Sequence, residues 1–340
     1  MLYESTRRLT SLLGTKHPIV QDGMGPFRTN EIALAVSEAG GLGTVSIPGM
    51  TRPTDEGKAM MRSNIEWVAE RTDKPFAVNV PVGRLPSGEV LPSTAAYIGA
   101  LIEARAADSA VRERANVIIT SAGFPGEFRD QIKDSGLIHL HKVGSTVHAQ
   151  KAEAAGVDAV VASGYEMGGH THLNPVHTFV LAANVTEKVS VPVIVSGGVR
   201  DGRGLVAALA FGASGVAMGT RFIATEENVD WHPAYSKQVL AAGEGDDVVF
   251  PAVYGPARGL NNDGVAELLD IMATNKLSDE ELAKWKDARI ILAQEEGDIA
   301  NGLMPMGQVA SGISSVVSIP QLIEDMVATA HKLLGSTSGQ

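Results

Sequence analysis

Eight short apolar runs recur along the chain, each followed by a longer stretch of helical period, and this alternation constrains the fold more than any other feature. The runs are HPIVQDGM (17–24), LGTVSI (42–47), FAVNV (76–80), NVIITSA (116–122), IHLHKV (138–143), DAVVASG (158–164), VPVIVSGG (191–198) and GVAMGTRF (215–222). Helices are predicted between and after them at 29–39, 53–71, 93–107, 126–135, 145–155, 177–187 and 202–211. Strands that are apolar without interruption are buried on both faces, as parallel strands covered by helices must be. Eight such units predict an α/β fold, a closed (β/α)8 TIM barrel, in preference to an open doubly wound sheet.

The pattern changes after the eighth strand. Residues 226–300 hold 16 acidic against 6 basic side chains, nearly the whole net charge of −11. The segments AELLDIMAT and SDEELAKWKDARIILAQEE read as helices, and Ser278 with Glu281 three residues later forms a capping-box signature. The expected organisation is a barrel made by 1–225 and 305–340, with 226–304 an acidic, mostly helical C-terminal subdomain inserted between them. Such an insertion serves either as a lid over the barrel mouth or as a solvated acidic face. The closing segment IPQLIEDMVATAHKLLG is amphipathic and would complete the outer ring of helices.

Several functions are disfavoured by composition. A chain with 28 basic and 39 acidic residues repels phosphate backbones and anionic membranes, so neither nucleic acid nor membrane is an expected partner. The absence of cysteine removes disulfides, cysteine zinc sites and thiolate nucleophiles. No secretory-type apolar segment and no run of about 18 apolar residues is present, which reads as a cytoplasmic protein.

In barrels of this kind the loops at the carboxyl ends of the strands converge on one pocket. Glycine recurs at those ends here. Ser196, Gly197 and Gly198 end the seventh strand, and Met218, Gly219 and Thr220 end the eighth. Backbone amides and two hydroxyls from neighbouring turns predict a phosphate site. After the sixth strand comes ASGYEMGGHTHLNPVH (162–177), where Gly168 and Gly169 precede His170 and free the backbone for close approach to a ligand.

The motifs HPIVQDGM, AGGLGTVS, FAVNV, the His–Lys pair ending strand five, GGH, the block VPVIVSGGVRDGRGLVAALAFGASGVAMGTRF and the late MGQVASG resemble the nitronate monooxygenase family, formerly called 2-nitropropane dioxygenases. The resemblance is strong over 17–222 and looser near the C-terminus. It implies an FMN-dependent oxidoreductase. Gln21, Gly23 and Met24 would pass beside the flavin ring, with Asn79 and Lys142 at its polar edge and Gly168 and Gly169 against it. Ser196, Gly197, Gly198, Met218, Gly219 and Thr220 would hold the phosphate, and Gln308 would reach the cofactor from the C-terminal segment. His170 would be the catalytic residue, either as general base or as a group that positions the substrate.

The expected reaction is oxidation of alkyl nitronates with oxygen. The alternative is NAD(P)H-dependent reduction of quinones or enoyl thioesters, and a homodimer is compatible with either. A non-catalytic flavin-binding protein and a metal hydrolase are more distant readings; the latter rests on the His170–His172 pair, which stands in the wrong place for such a site, and no metal is expected. The chain departs from the family in THLNPVHT after the histidine, which bears on specificity. A second departure is Asp22, where a small residue is common and a carboxylate disfavours anionic substrates.

Overall fold

The computed structural model describes residues 2–26, 28–84, 88–252 and 255–335. Its centre is a parallel sheet of eight strands: Ile19–Gln21, Gly43–Val45, Phe76–Pro81, Val117–Ser121, Ile138–Val143, Ala159–Ser163, Val193–Ser196 and Gly215–Met218. Seven fall inside the apolar runs read from the sequence, and the third extends one residue past its run, to Pro81. Each pairs in parallel with its neighbour, and the first also pairs with the eighth. Hydrogen bonds from Gln21 N to Leu42 O and from Leu42 N to Ile19 O, both 2.9 Å, join the first strand to the second and close the barrel.

The period-2 geometry of the strands divides their side chains. Val117, Ile119, Val161 and Ile194 point into the barrel, where they meet Leu9 and Leu13. Ile118 and Val160 point outward beneath the helices. Leu9 and Leu13 belong to the helix Leu2–Leu13, which the strand–helix reading did not include. Glycine permits the closest helix contact: a Cβ on Gly43 would overlap the carbonyl of Ala33 in the helix Asn30–Glu38.

The helices Asp263–Thr274 and Asp279–Gln294 form as expected, the second with its complete Ser278–Glu281 capping box. One element of the acidic region departs from a helical reading. Strands Asp247–Ala252 and Gly255–Leu260 form an antiparallel hairpin, and the second of them pairs with Gly169–His170, matching Ala257 to His170. No strand is read from the sequence here because proline and glycine weaken strand signals; Pro251 lies in an edge strand, where proline is tolerated, and Pro256 near the start of the middle one. Phe250, Ala257, Val265, Leu268, Leu282 and Ile290 give the hairpin and two helices a core of their own. The helix Ile319–Gly335 packs on the barrel as its amphipathic pattern requires. No helix among the described residues is long and apolar enough to cross a membrane.

Candidate active site

A cavity of roughly 840 Å3 opens at the carboxyl ends of the strands. His170, Gly23, Met24, Asn79, Lys142, Gly168, Gly169, Ser196, Gly197, Gly198, Met218, Gly219 and Thr220 all line it. Two expected residues do not. Gln21 is wholly buried in the barrel wall, where its side-chain oxygen accepts the Thr44 amide at 2.9 Å. Gln308 is exposed and begins a short 3-10 turn, although its neighbours Gly307 and Val309 face the cavity.

The turns after strands seven and eight form a smooth cradle. Gly197 and Gly198 adopt φ of 88° and 78°, a region that side-chain-bearing residues disfavour. A Cβ on Gly198 would meet nothing closer than Glu166 Cβ at 4.0 Å, so the missing side chain leaves cavity space there. Gly219 precedes the turn Thr220–Ile223, and the hydroxyl of Thr220 accepts the Gly307 amide at 3.0 Å.

Close backbone approach also explains Gly23 and Gly168. A Cβ on Gly23 would overlap the Asn79 side chain, and one on Gly168 would sit 2.6 Å from the amide nitrogen of Gly307. Asn79 Nδ2 is held by the Ile119 carbonyl at 2.9 Å, which fixes its side chain at the cavity wall.

Lys142, next to last in strand five, donates to Asp22 Oδ2 at 2.7 Å. Ser196 Oγ donates to the same oxygen at 2.6 Å, and Asp22 Oδ1 accepts the Gly23 amide at 3.0 Å. The carboxylate thus ties together the ends of strands one, five and seven. The Ser196 hydroxyl proton is therefore committed to Asp22 rather than directed at an anion in the cradle.

His170 is placed by two strand bonds and a cation. Its segment is the third strand of the hairpin sheet. Arg258 clamps the loop there, donating to the Tyr165 carbonyl at 3.2 and 3.0 Å and pairing with Asp247. Lys286, from the helix Asp279–Gln294, lies with Nζ 3.0 Å from His170 Nε2. Much of the His170 surface is open, but it opens onto the cavity rather than bulk solvent. Burial and then the adjacent ammonium push the imidazole down to about 3. Burial likewise pulls Lys286 down to about 8, against the partly opposing pull of Asp287.

Lys286 was missing from the set read from the sequence. One signal existed: it stands four residues from both Leu282 and Ile290, on the buried face of its helix, where a lysine is out of place. Glu166 was also missed; it accepts the Thr178 amide at 2.9 Å and the Thr178 hydroxyl at 2.7 Å and steadies the histidine loop. His172 packs against Gly144, and burial with Lys142 and His148 nearby lowers it to about 4. Among the described residues no cluster of acidic or histidine side chains is arranged to hold a metal.

The family model described as nitronate monooxygenase matches residues 6–329. A (3aS,4S,5R,7aS)-5-hydroxy-7a-methyl-1-oxo-octahydro-1H-indene-4-carboxyl-CoA dehydrogenase of Rhodococcus jostii is 32% identical, covering 95% of each chain. A probable nitronate monooxygenase of Staphylococcus aureus is 30% identical, covering 77% of this chain and 80% of its own length. Among solved structures, FabK from Thermotoga maritima superposes with a TM-score of 0.84 at 34% identity, covering 98% of both chains. A nitroalkane oxidase from Streptomyces ansochromogenes shares the fold, with a TM-score of 0.79 at 24% identity.

Proposed function

The chain belongs to the nitronate monooxygenase family of oxidoreductases, and from that premise we propose that it is an FMN-dependent reductase or dehydrogenase acting on a thioester with an unsaturated or carbonyl-activated carbon, with NAD(P)H as redox partner. The observation that carries this reading is the contact between Lys286 and His170. An imidazole pushed down to about 3 is a poor base at neutral pH, so the pair suits donation to a substrate oxygen rather than abstraction of a carbon-bound proton. A relative whose printed name includes a carboxyl-CoA substrate, similar over 95% of both chains, supports the thioester class.

The residues present fit a flavin mononucleotide. The positive-φ glycines leave room where Cβ atoms would otherwise stand, and the amides of Gly198, Gly219 and Thr220 would hold the phosphate. Asn79 and Lys142 would meet the pyrimidine end of the ring. The cavity lies near the upper end of the 300–1,000 Å3 usual for ligand sites, large enough for a cofactor and a second reactant together.

Hydride transfer is the chemistry a flavin supplies when bound. The chain's own part is to hold and protonate. Lys286 donates to His170 Nε2, which leaves the other ring nitrogen carrying the proton, and the ammonium is the group suited to meet a carbonyl oxygen. The hairpin and the helix Asp279–Gln294 bring this pair over the strand ends, so these elements act as a roof that limits water.

A second reading, oxidation of nitronates with oxygen, is favoured by the same Lys286 cation, which would hold a substrate that is already anionic and needs no base. Asp22 no longer argues against it, because Lys142 balances its charge. Anaerobic mixing of the FMN-loaded protein with NADH, NADPH, enoyl-CoA thioesters and nitronates, followed by flavin absorbance, separates the two. Bleaching by a pyridine nucleotide and recovery with a thioester supports the first reading; bleaching by nitronates alone overturns it.

A further inference from the structure

Asp22 is the one carboxylate among the first-strand residues of the cavity wall, and its position has consequences that the cradle and the histidine loop do not explain. Its side chain is 9% exposed, and its partner Lys142 is 12% exposed. One oxygen takes both the Lys142 ammonium and the Ser196 hydroxyl, and the other takes the Gly23 amide. Those three donors come from the ends of strands one, five and seven, so the carboxylate sits at a crossing point of the barrel mouth. A lysine with no counter-ion would offer the pocket a full positive charge. Paired at 2.7 Å, the two groups together offer close to none.

We propose that Asp22 is a positioning residue that sets the reduction potential of the bound flavin by fixing Lys142 and cancelling its charge. This rests on the flavin reading above. Negative charge appears on a flavin when it is reduced, and a nearby cation stabilises that form while a carboxylate opposes it. The Asp22–Lys142 pair therefore makes the cofactor a stronger reductant than Lys142 alone would. A low potential suits a site that must deliver hydride onward to a carbon acceptor. Ser196 belongs to the same device, since its proton points at Asp22 and leaves the phosphate to the neighbouring amides.

The test is the midpoint potential of the purified holoprotein in wild type, Asp22→Asn and Asp22→Ser, measured by anaerobic titration against a reference dye. Both variants remove the carboxylate; the second also restores a small side chain. Removal should shift the balance between oxidised and reduced flavin roughly tenfold toward the reduced form, which is about 30 mV upward for a two-electron couple. Lys142→Met should move it the opposite way. A residue that only supported the loop would change flavin affinity equally in both oxidation states and leave the potential in place, and that result overturns the proposal. Loss of flavin from both Asp22 variants would make the carboxylate a support for cofactor binding and overturns it equally. A wild-type protein that does not take up FMN refutes the flavin reading itself, an outcome distinct from either.

Discussion

Lys286 Nζ stands 3.0 Å from His170 Nε2 across 116 positions of sequence. The bond joins the helix Asp279–Gln294 to the histidine loop, so these two segments meet at the cavity. It adds to burial, the larger effect, in keeping the histidine neutral. A neutral imidazole accepts the lysine's hydrogen bond, and the neighbouring charge makes a second positive group costly.

Replacing His170 with Ala should leave a yellow protein with normal flavin content and reduce turnover by about 10²–10⁴-fold, the range for disabling one acid–base group, here Lys286 through loss of the acceptor that orients it. Lys286→Met should also keep the flavin and lose most of the turnover, while Lys286→Arg retains part of it. Absorbance at the flavin band and steady-state kinetics on the same preparations check both. Full turnover in His170→Ala would remove the pair from the mechanism.

The pH profile follows from the same contact. Lys286 is lowered to about 8, so activity that needs its charged form should be level near pH 6–7 and fall as pH rises through about 8. His170, lowered to about 3, should contribute no acid limb between pH 5 and 7, where an ordinary histidine would titrate. Measuring kcat/KM from pH 5 to 10 in wild type and Lys286→Met tests this, because the alkaline limb should disappear in the variant.

Gly219→Asp should abolish cofactor binding while sparing the fold. The backbone there has φ −111°, which any residue adopts, and an added Cβ would meet only Met24 at 3.5 Å, an ordinary contact. The new carboxylate would face the cradle and repel a phosphate. A colourless protein with a melting temperature within a few degrees of wild type is expected; retained flavin would place the phosphate elsewhere.

Thr120 sits between two buried histidines, 2.7 Å from His139 Nε2 and 2.8 Å from His141 Nδ1. Burial lowers His139 to about 4, and burial with the charge of His139 lowers His141 to about 3. Both folded values lie below the unfolded value near 6.5, so the unfolded chain binds more protons between these limits. Stability should thus be full above about pH 6.5 and decline as pH falls towards 4 and 3. At pH 5 the loss is on the order of 2 kcal/mol per histidine. Thr120→Val should cost about 1–3 kcal/mol at pH 7 by leaving buried ring nitrogens unpaired. Urea midpoints at pH 5 and 7 for both proteins measure the two effects.

Much of the cavity lining was legible because barrel strands and their glycine-rich ends are written in contiguous residues. The glycine turns after strands seven and eight and Lys142 near the end of strand five stand where an apolar run stops, and Asn79 lies within strand three; His170 follows seven residues beyond strand six. Gln21 was misplaced by the period of two that makes strands readable: its side chain turns into the barrel wall, while the next residue, Asp22, lines the cavity. The strands Asp247–Ala252 and Gly255–Leu260 were missed because their proline and glycine content weakens the strand signal, and the pairing of the two with each other, and of the second with Gly169–His170, is a tertiary event.

The sequence by itself determined the barrel, since eight doubly buried strands with helical spacers have few ways to hide their apolar faces. It also determined which strand ends carry glycine, polar and basic groups. Tertiary structure alone decided who pairs with whom: that Asp22 neutralises Lys142, that Ser196 points at Asp22, and that Lys286 reaches His170. Local patterns record burial and backbone preference residue by residue. A charge pair across a barrel mouth depends on side chains separated by 120 or 116 positions, whose meeting no local pattern records.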